Sequence, residues 1–343
     1  MLTPPDGLPE ATLVSALGRS WGMAVTSMQY RAVGWGSHHW EVTDTAGRRW
    51  FVTVDELEDK RLSASEPLAA GFGRLRAALA AARDLRACGR TFVVAPLPAG
   101  DGEPLARVGE KFGVALYPFI DGQSFEWDEF SSSAHRLGVL SLLIAVHTAP
   151  AAASRHALAD DFGVPLRDEL EAACAVGGGA DDGGADDGGA AYGGPYARPA
   201  ALLLRQNAAA IQRQLARYDH LVTQARAVGT QAVLTHGEPH PGNTMLTGDG
   251  WLLIDWDTAL VAPPERDLWS LDPGDGTILD AYASATGVSP RPALLDLYRL
   301  RWDIADIAAG VSRFRRAHAG SIDDAKTWEL LCSLIDHIST ASP

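Results

Sequence analysis

The sequence predicts an α+β chain of two lobes: a small β-sheet lobe over residues 1–117 and a larger, mainly helical lobe over residues 118–343. A chain of 343 residues exceeds what one hydrophobic core usually serves. Its first third carries short β-prone runs around one helical stretch, and from Ser131 onward the apolar residues recur at helical spacing.

Gln29–Val33 and Trp40–Thr43 read as strands flanking the turn Gly34-Trp35-Gly36-Ser37, and Arg49–Val54, β-branched or aromatic in alternation, as a third. Leu68–Ala87 places Phe72, Leu75, Leu79 and Ala82 at helical spacing. Thr91–Ala95 and Phe112–Tyr117 are two further expected strands, and the small lobe ends near Pro118. In the second lobe, Leu137, Leu140, Ile144 and His147 are expected to form one buried helical stripe, and Leu295, Tyr298, Trp302 and Ala305 another. Ala200–Ala227 is a long helical stretch. Gly177 to Gly194 is nearly all Gly, Asp and Ala, with Ala-Asp-Asp-Gly-Gly twice. Such a segment cannot bury enough apolar area to offset its ordering entropy, so a flexible loop is expected there. Between Ala232 and Leu271 the pattern is strand, Gly/Pro-rich loop and strand, then a turn at Gly248-Asp249-Gly250 and a strand ending at Asp255.

Composition narrows the function classes. Hydrophobic residues are 46% and charged residues 21%, ordinary for a globular chain. Lys plus Arg is 29 against 43 Asp plus Glu, a net charge of −14. That field disfavours a nucleic acid or an anionic membrane as partner and favours a cationic small molecule. Cys88, Cys174 and Cys332 are odd in number and far apart, so a cytoplasmic location is expected. Met1 to Asp6 has neither the basic nor the apolar region of a signal peptide. The most apolar stretch, Gly138 to Ala153, is too short and too polar to span a bilayer.

Chemistry concentrates in His236-Gly237-Glu238-Pro239-His240-Pro241-Gly242-Asn243 and in Ile254-Asp255-Trp256-Asp257. An acidic loop followed by a hairpin that delivers a second acid can converge oxygen groups on one point. Phosphoryl transfer needs such a set: a carboxylate to orient and deprotonate a hydroxyl, and oxygen ligands for Mg²⁺. An Asn amide oxygen and an Asp carboxylate suit that hard cation. The alternative metal reading, a His236/Glu238/His240 zinc cluster, lacks the helical His-Glu-x-x-His spacing, and the Pro-Cys-x-x-Cys of deaminases is absent. A P-loop motif is also absent.

These two segments resemble the aminoglycoside phosphotransferase family, whose pattern is His-Gly-Asp-x-His-x-x-Asn followed by a hydrophobic-Asp-Trp/Phe segment. Leu137-Gly138 through Leu143 to His147 is similar to the family's Leu-Gly…Leu…Leu-His helix. Pro263 to Trp269 is similar to its Pro-x-x-Asp-Leu segment, and Arg301-Trp302-Asp303 to a substrate-side helix. The resemblance spans roughly Gln29 to Phe314 and lies near spectinomycin phosphotransferases. It implies a bilobal protein-kinase-like fold with an antiparallel N-terminal sheet, and an O-phosphotransferase using Mg²⁺ with ATP, or GTP as the alternative. The acceptor would be a hydroxyl on an aminoglycoside, an aminocyclitol or another cationic metabolite. Glu238 takes the position of the base, and Asn243 and Asp255 those of the metal ligands. Gly34, Gly36 and Ser37 stand where a Gly-rich loop covers phosphates, and Tyr117 and Phe119 where a hinge meets the nucleobase. His240, Asp257, Trp302, Asp303 and Asp306 are candidates for the acceptor side. Asp303 and Asp306 are three apart and so share a helix face. A solvated face, or an ion pair to Arg299 or Arg313, is the alternative there. His236 is expected to brace its loop, and Arg266 and Asp267 to support it from below.

Two departures stand out. Glu238 occupies a position where the family usually has Asp, extending the carboxylate by about 1.5 Å. A misplacement of about 1 Å can cost on the order of 10²-fold in rate. In Phe51-Val52-Thr53-Val54, Thr53 stands where the family's nucleotide-binding lysine is expected, and the helix from Pro67 to Ala87 has no Glu to pair with one. Lys60, Arg48, Arg49 or Arg61 could bind the phosphates in place of that lysine, but they are expected as solvated surface charges. The absent lysine leaves a second reading open: a kinase-like protein that binds a small ligand without phosphorylating it.

Overall fold

The structure, a computed structural model, describes residues 1–127, 129–175 and 193–340. Of the Gly/Asp/Ala loop, residues 177–192 lie outside the described residues. The chain divides into two compact units. The first holds residues 1–60, 68–161 and 229–296, the second residues 61–67, 162–228 and 297–343.

The first unit opens with helix α1 (Glu10–Trp21), which the sequence reading missed. Its signals are present: Leu13, Ala16 and Leu17 share one face, and Gly22 at φ 65° terminates it in the left-handed conformation that glycine adopts without strain. Strands β1 (Val25–Arg31), β2 (His38–Asp44) and β3 (Arg49–Glu56) follow, then helix α2 (Leu68–Ala87), β4 (Ala106–Val108) and β5 (Phe112–Pro118). They form an antiparallel sheet in the order β1-β2-β3-β5-β4. Strand alternation separates its faces. Trp40, Val42, Val52, Val54, Val114 and Leu116 turn to α1 and are buried with it. His39, Phe51, Thr53 and Tyr117 occupy the opposite face, because His39 is opposite Thr53 and Phe51 opposite Tyr117 in the register.

Thr91–Ala95 is not a strand. It makes one parallel bridge, Val93 to Leu253, and Pro96 and Pro98 lack the amide protons that a ladder requires. Past the two-residue β6 (Gln123–Ser124) runs α3 (Ser133–His147). Of its expected stripe, Leu140 and His147 are buried and Ile144 is half-buried against the same core, but Leu137 is not. Val139, Leu140, Leu143, Val146 and His147 are buried, whereas Leu137 is 48% exposed. The unit continues with β7 (Val233–Thr235), the hairpin β8 (Thr244–Thr247) and β9 (Gly250–Leu253), β10 (Leu260–Ala262), α6 (Glu265–Leu271) and α7 (Thr277–Thr286). One core joins α2, α3, α6 and α7 around Leu253, Trp256 and Ala259.

The second unit is helical: α4 (Arg167–Ala175), α5 (Ala197–Val228), most of α8 (Pro292–Arg315) and α9 (Ile322–Thr340). Leu170, Leu204, Ile211, Leu215 and Tyr218 are buried there with Leu331 and Ile335. Among the described residues no helix is long and apolar enough to cross a membrane. Cys88, Cys174 and Cys332 are free thiols.

The observed face of α3 is directly testable. Leu143→Ala removes a fully buried side chain and is expected to cost about 2–5 kcal/mol in urea unfolding, whereas Leu137→Ala should change stability by less than about 1 kcal/mol. Equal losses at the two positions would contradict this packing.

Candidate active site

The acidic loop after β7 is held from beneath by a buried carboxylate. Asp267, on α6, accepts the backbone N–H of His236 at 2.9 Å and that of Gly237 at 2.6 Å. It also meets Nε2 of His147, the last residue of α3, at 3.0 Å. Burial raises the Asp267 carboxyl pKa, but the bond to His147 and the charges of His147 and Arg266 outweigh it, holding the group below the usual carboxylate range. Beside it the Arg266 guanidinium donates to Thr235 Oγ1 at 2.9 Å and to the Thr258 carbonyl at 2.8 Å. Gly237 lies against that guanidinium at φ 103°, where a Cβ would come within 2.5 Å of its nitrogens. Glycine is therefore the residue this position admits.

His236 braces the loop as expected. Its Nε2 donates to the Ile254 carbonyl at 2.8 Å, and its Nδ1 accepts the Glu238 backbone N–H at 3.2 Å. Burial lowers its pKa and keeps the ring neutral, the state in which one nitrogen donates and the other accepts. Asn243 closes the loop: its Nδ2 donates to the Glu238 carbonyl at 2.9 Å and meets His240 Nε2 at 3.2 Å. With the amide nitrogen so engaged, Oδ1 is the side chain's remaining acceptor. His240, whose pKa burial lowers to about 4, is neutral and packs edge-on to Trp127.

The hairpin brings the second acid to this loop. Ile254 donates its N–H to the Asn243 carbonyl at 2.9 Å, so Asp255 follows directly beside the loop's end. Asp255 has φ 62°, an uncommon conformation for a non-glycine residue and one often stored at functional sites. Its carboxylate keeps access to solvent but is crowded by protein. That lost hydration, and then repulsion from Asp257 and Glu238, pushes its pKa well above the usual range. Glu238, Asn243, Asp255 and Asp257 are thus neighbours. The hairpin in turn rests on α3. The Trp251 ring stacks on His135 at 4.2 Å, and Gly138 leaves the space, since a Cβ there would lie 2.5 Å from Trp251 Nε1.

On the sheet side, Gly34 and Gly36 have positive φ in the turn between β1 and β2. Ser37, which ends that turn, is buried and donates to Asp55 Oδ1 at 2.7 Å. The same oxygen lies 2.9 Å from Lys60 Nζ, and Asp257 Oδ2 lies 2.6 Å from Lys60 on its other side. Lys60 is therefore not a solvated surface charge; the signal was the acid Asp55 five residues earlier, but its second partner is distant in sequence. Arg48 and Arg49 do sit at the surface, paired with Asp44 and with Glu41 and Asp121. Burial opposes the Lys60 charge, yet Asp257 and Asp55 hold its pKa well above the ordinary value. The hydroxyl pKa of Tyr117 is raised well above normal by burial and then by the charges of Asp255, Asp55 and Asp257. Asp84, on α2, is taken by Arg155 and His156, both at 2.7 Å. His39 stacks on Phe51 at 5.1 Å, and Phe119 is covered by the Arg49 guanidinium at 3.6 Å.

Trp302, Asp303 and Asp306 lie on α8 within the second unit, all half-buried. Arg313 is committed to Asp324 at 2.7 Å, so it is not the partner of either acid. Loss of hydration, then repulsion by Asp303, raises Asp306 to about 7.

A protein-family model described as APH, the phosphotransferase enzyme family, matches residues 28–309. The chain belongs to this family. Protein StrN of Streptomyces griseus is 32% identical over 259 residues, 71% of each chain. Among solved structures, spectinomycin phosphotransferase APH(9)-Ia in complex with ADP and spectinomycin is similar, with a TM-score of 0.65 at 15% identity over 96% of this chain and 97% of that one. Choline kinase from Streptococcus pneumoniae has a TM-score of 0.55 at 11% identity, over 96% of this chain and 99% of that one. The α+β, kinase-like fold is that of small-molecule phosphotransferases.

Two outcomes test the site's support. Gly237→Ala should cost more than about 2 kcal/mol, and the extra cost should shrink to the strain of positive φ, about 1–2 kcal/mol, when Arg266 is already alanine. A double-mutant cycle by denaturant unfolding measures this. In the folded chain Asp306 ionises near 7 rather than near 3.8, so the folded state is disfavoured as pH rises through that interval. Asp306→Asn is therefore expected to be more stable than the parent at pH 8, by on the order of 1–3 kcal/mol, with no gain at pH 4.

Proposed function

We propose that this chain transfers a phosphoryl group from ATP, or from GTP as the alternative, to a hydroxyl of a small cationic molecule such as an aminoglycoside or aminocyclitol. In this reading residues 1–117 serve the nucleotide and residues 118–343 the metal and acceptor. The observation that carries it is the Ile254 N–H to Asn243 carbonyl bond, which sets Asp255 beside the loop that bears Glu238.

Glu238 accepts the proton of the acceptor hydroxyl as the oxygen attacks. Its backbone is held on both sides, by His236 and by Asn243, so the longer side chain extends from a fixed point and need not be mobile to be in register. Asn243 Oδ1 and Asp255 offer the hard oxygen donors that Mg²⁺ takes in company with phosphates, so the donor set fits that ion. When bound, Mg-nucleotide would supply the phosphoryl group and the charge that neutralises this acidic site. Asp255 stores repulsion from Asp257 and Glu238 that a divalent cation relieves. Gly34, Gly36 and Ser37 cover the phosphates in this scheme, and Tyr117 and Phe119 border the nucleobase. His240, Asp257, Trp302, Asp303 and Asp306 are assigned to the acceptor, whose ammonium groups the −14 net charge attracts.

A coupled assay of nucleotide consumption over amino sugars, aminocyclitols and amino alcohols tests the reading. The expected result is transfer to at least one acceptor. Asp255→Asn should abolish it, and Glu238→Gln should lower kcat by about 10²–10⁴-fold with little change in KM. Thermal stabilisation by a small amine but never by Mg-ATP would instead favour a ligand binder without transfer.

A further inference from the structure

We propose that Lys60, which follows β3 rather than lying on it, is the cation that binds the nucleotide phosphates in place of the lysine absent at Thr53. This inference rests on the phosphotransferase reading. The chain has three lysines, Lys60, Lys111 and Lys326, and Lys60 is the one whose ammonium touches carboxylates of the site. Asp55 and Thr53 are two apart on β3 and therefore project from the same face of the sheet. A lysine returning from position 60 to Asp55 thus brings its charge to the face where a lysine at position 53 would have stood.

The anchoring of Lys60 argues for a placed group. Arg74, on α2, donates to the Lys60 carbonyl at 2.7 Å. Gly71, one turn earlier, allows the segment to lie directly on the helix, since a Cβ there would be 3.0 Å from that carbonyl and 3.2 Å from that of Leu57. Helix α2 therefore positions the lysine through its main chain, without the acidic side chain that pairs with a strand lysine. At the other end, Ser37 of the Gly-containing turn shares Asp55 Oδ1 with the ammonium. A continuous chain of contacts runs from Ser37 through Asp55 and Lys60 to Asp257, two residues beyond Asp255. Asp55 and Asp257 both contact this lysine, and its charge also acts on Asp255, so it is a cation already set among acids of the site where phosphates would enter.

The experiment measures binding by calorimetry for Mg-ADP and for adenosine, which shares the base and sugar and lacks phosphate. Lys60→Met is expected to weaken Mg-ADP by about 10–100-fold, the loss of one charge-assisted phosphate contact, and to leave adenosine within about twofold. The relocated pair Thr53→Lys/Lys60→Met should recover at least a tenfold share of that loss. Lys60→Met/Asp257→Asn removes the surplus negative charge and supports the same comparison if the single variant does not fold. A Lys60→Met protein that binds Mg-ADP as the parent does overturns the inference and leaves the phosphotransferase reading standing. Equal weakening of adenosine and Mg-ADP overturns it too, because a merely structural lysine would act on both. A parent chain that binds no nucleotide overturns the phosphotransferase reading and this inference together.

Discussion

The site depends on the carboxylate of Asp267. A loop that turns sharply leaves backbone N–H groups without the ladder partners a strand or helix would give them, and buried N–H groups require acceptors. Asp267 supplies one acceptor for both His236 and Gly237. His147 and Arg266 keep it ionised; His147 belongs to α3, and Arg266 is bonded to Thr235 at the end of β7 and to Thr258 just before β10. One buried charge thereby joins helix, loop and strand ends, which is why the histidine ending α3, the glycine of the loop and the acid of α6 act as a single unit. Replacing His147 or Asp267 leaves a buried group without its counterpart, the costly case for polar networks, and a side chain in place of Gly237 would crowd the Arg266 guanidinium.

Above that brace the site is an accumulation of negative charge. Asp55, Asp257 and Glu238 each act on Asp255, and Lys60 is held half-buried between Asp55 and Asp257. Such an assembly is unfavourable by itself and is stabilised by cations, which is the electrostatic requirement of a site that receives a metal-bound polyphosphate. The conformation of Asp255, at positive φ between a strand and a buried tryptophan, belongs to the same account: strain is held where rigid neighbours enforce it.

Much of this was legible along the chain. Helix α2 is legible over Leu68–Ala87 because its alanines, leucines and arginines have high helical propensity, which outweighs Gly71 and Gly73, and no proline interrupts it. The β8–β9 hairpin was legible from its Gly-Asp-Gly turn. Where the reading failed, local sequence was ambiguous. Thr91–Ala95 has strand composition but two prolines just beyond it, and it finds one bridge instead of a ladder. On α3 nearly every position from Leu137 to Val146 is apolar, so periodicity alone does not distinguish exposed Leu137 from the buried Val139, Leu143 and Val146. Helix α1 was overlooked although its terminating glycine and apolar face are present in the sequence.

By itself, then, the sequence determined the α+β class, helix α2 and the residue types at the acidic loop and hairpin, because propensity, turn chemistry and motif spacing are local properties. Tertiary structure alone decided which charges meet. Lys60 and Asp257 are far apart in the chain, and nothing local distinguishes an ammonium destined for solvent from one enclosed between two carboxylates. Only the packing of the segment after β3 against α2, through Gly71 and Arg74, carries that lysine to the acids of the hairpin, since a side chain's partner is set by where folding delivers its backbone.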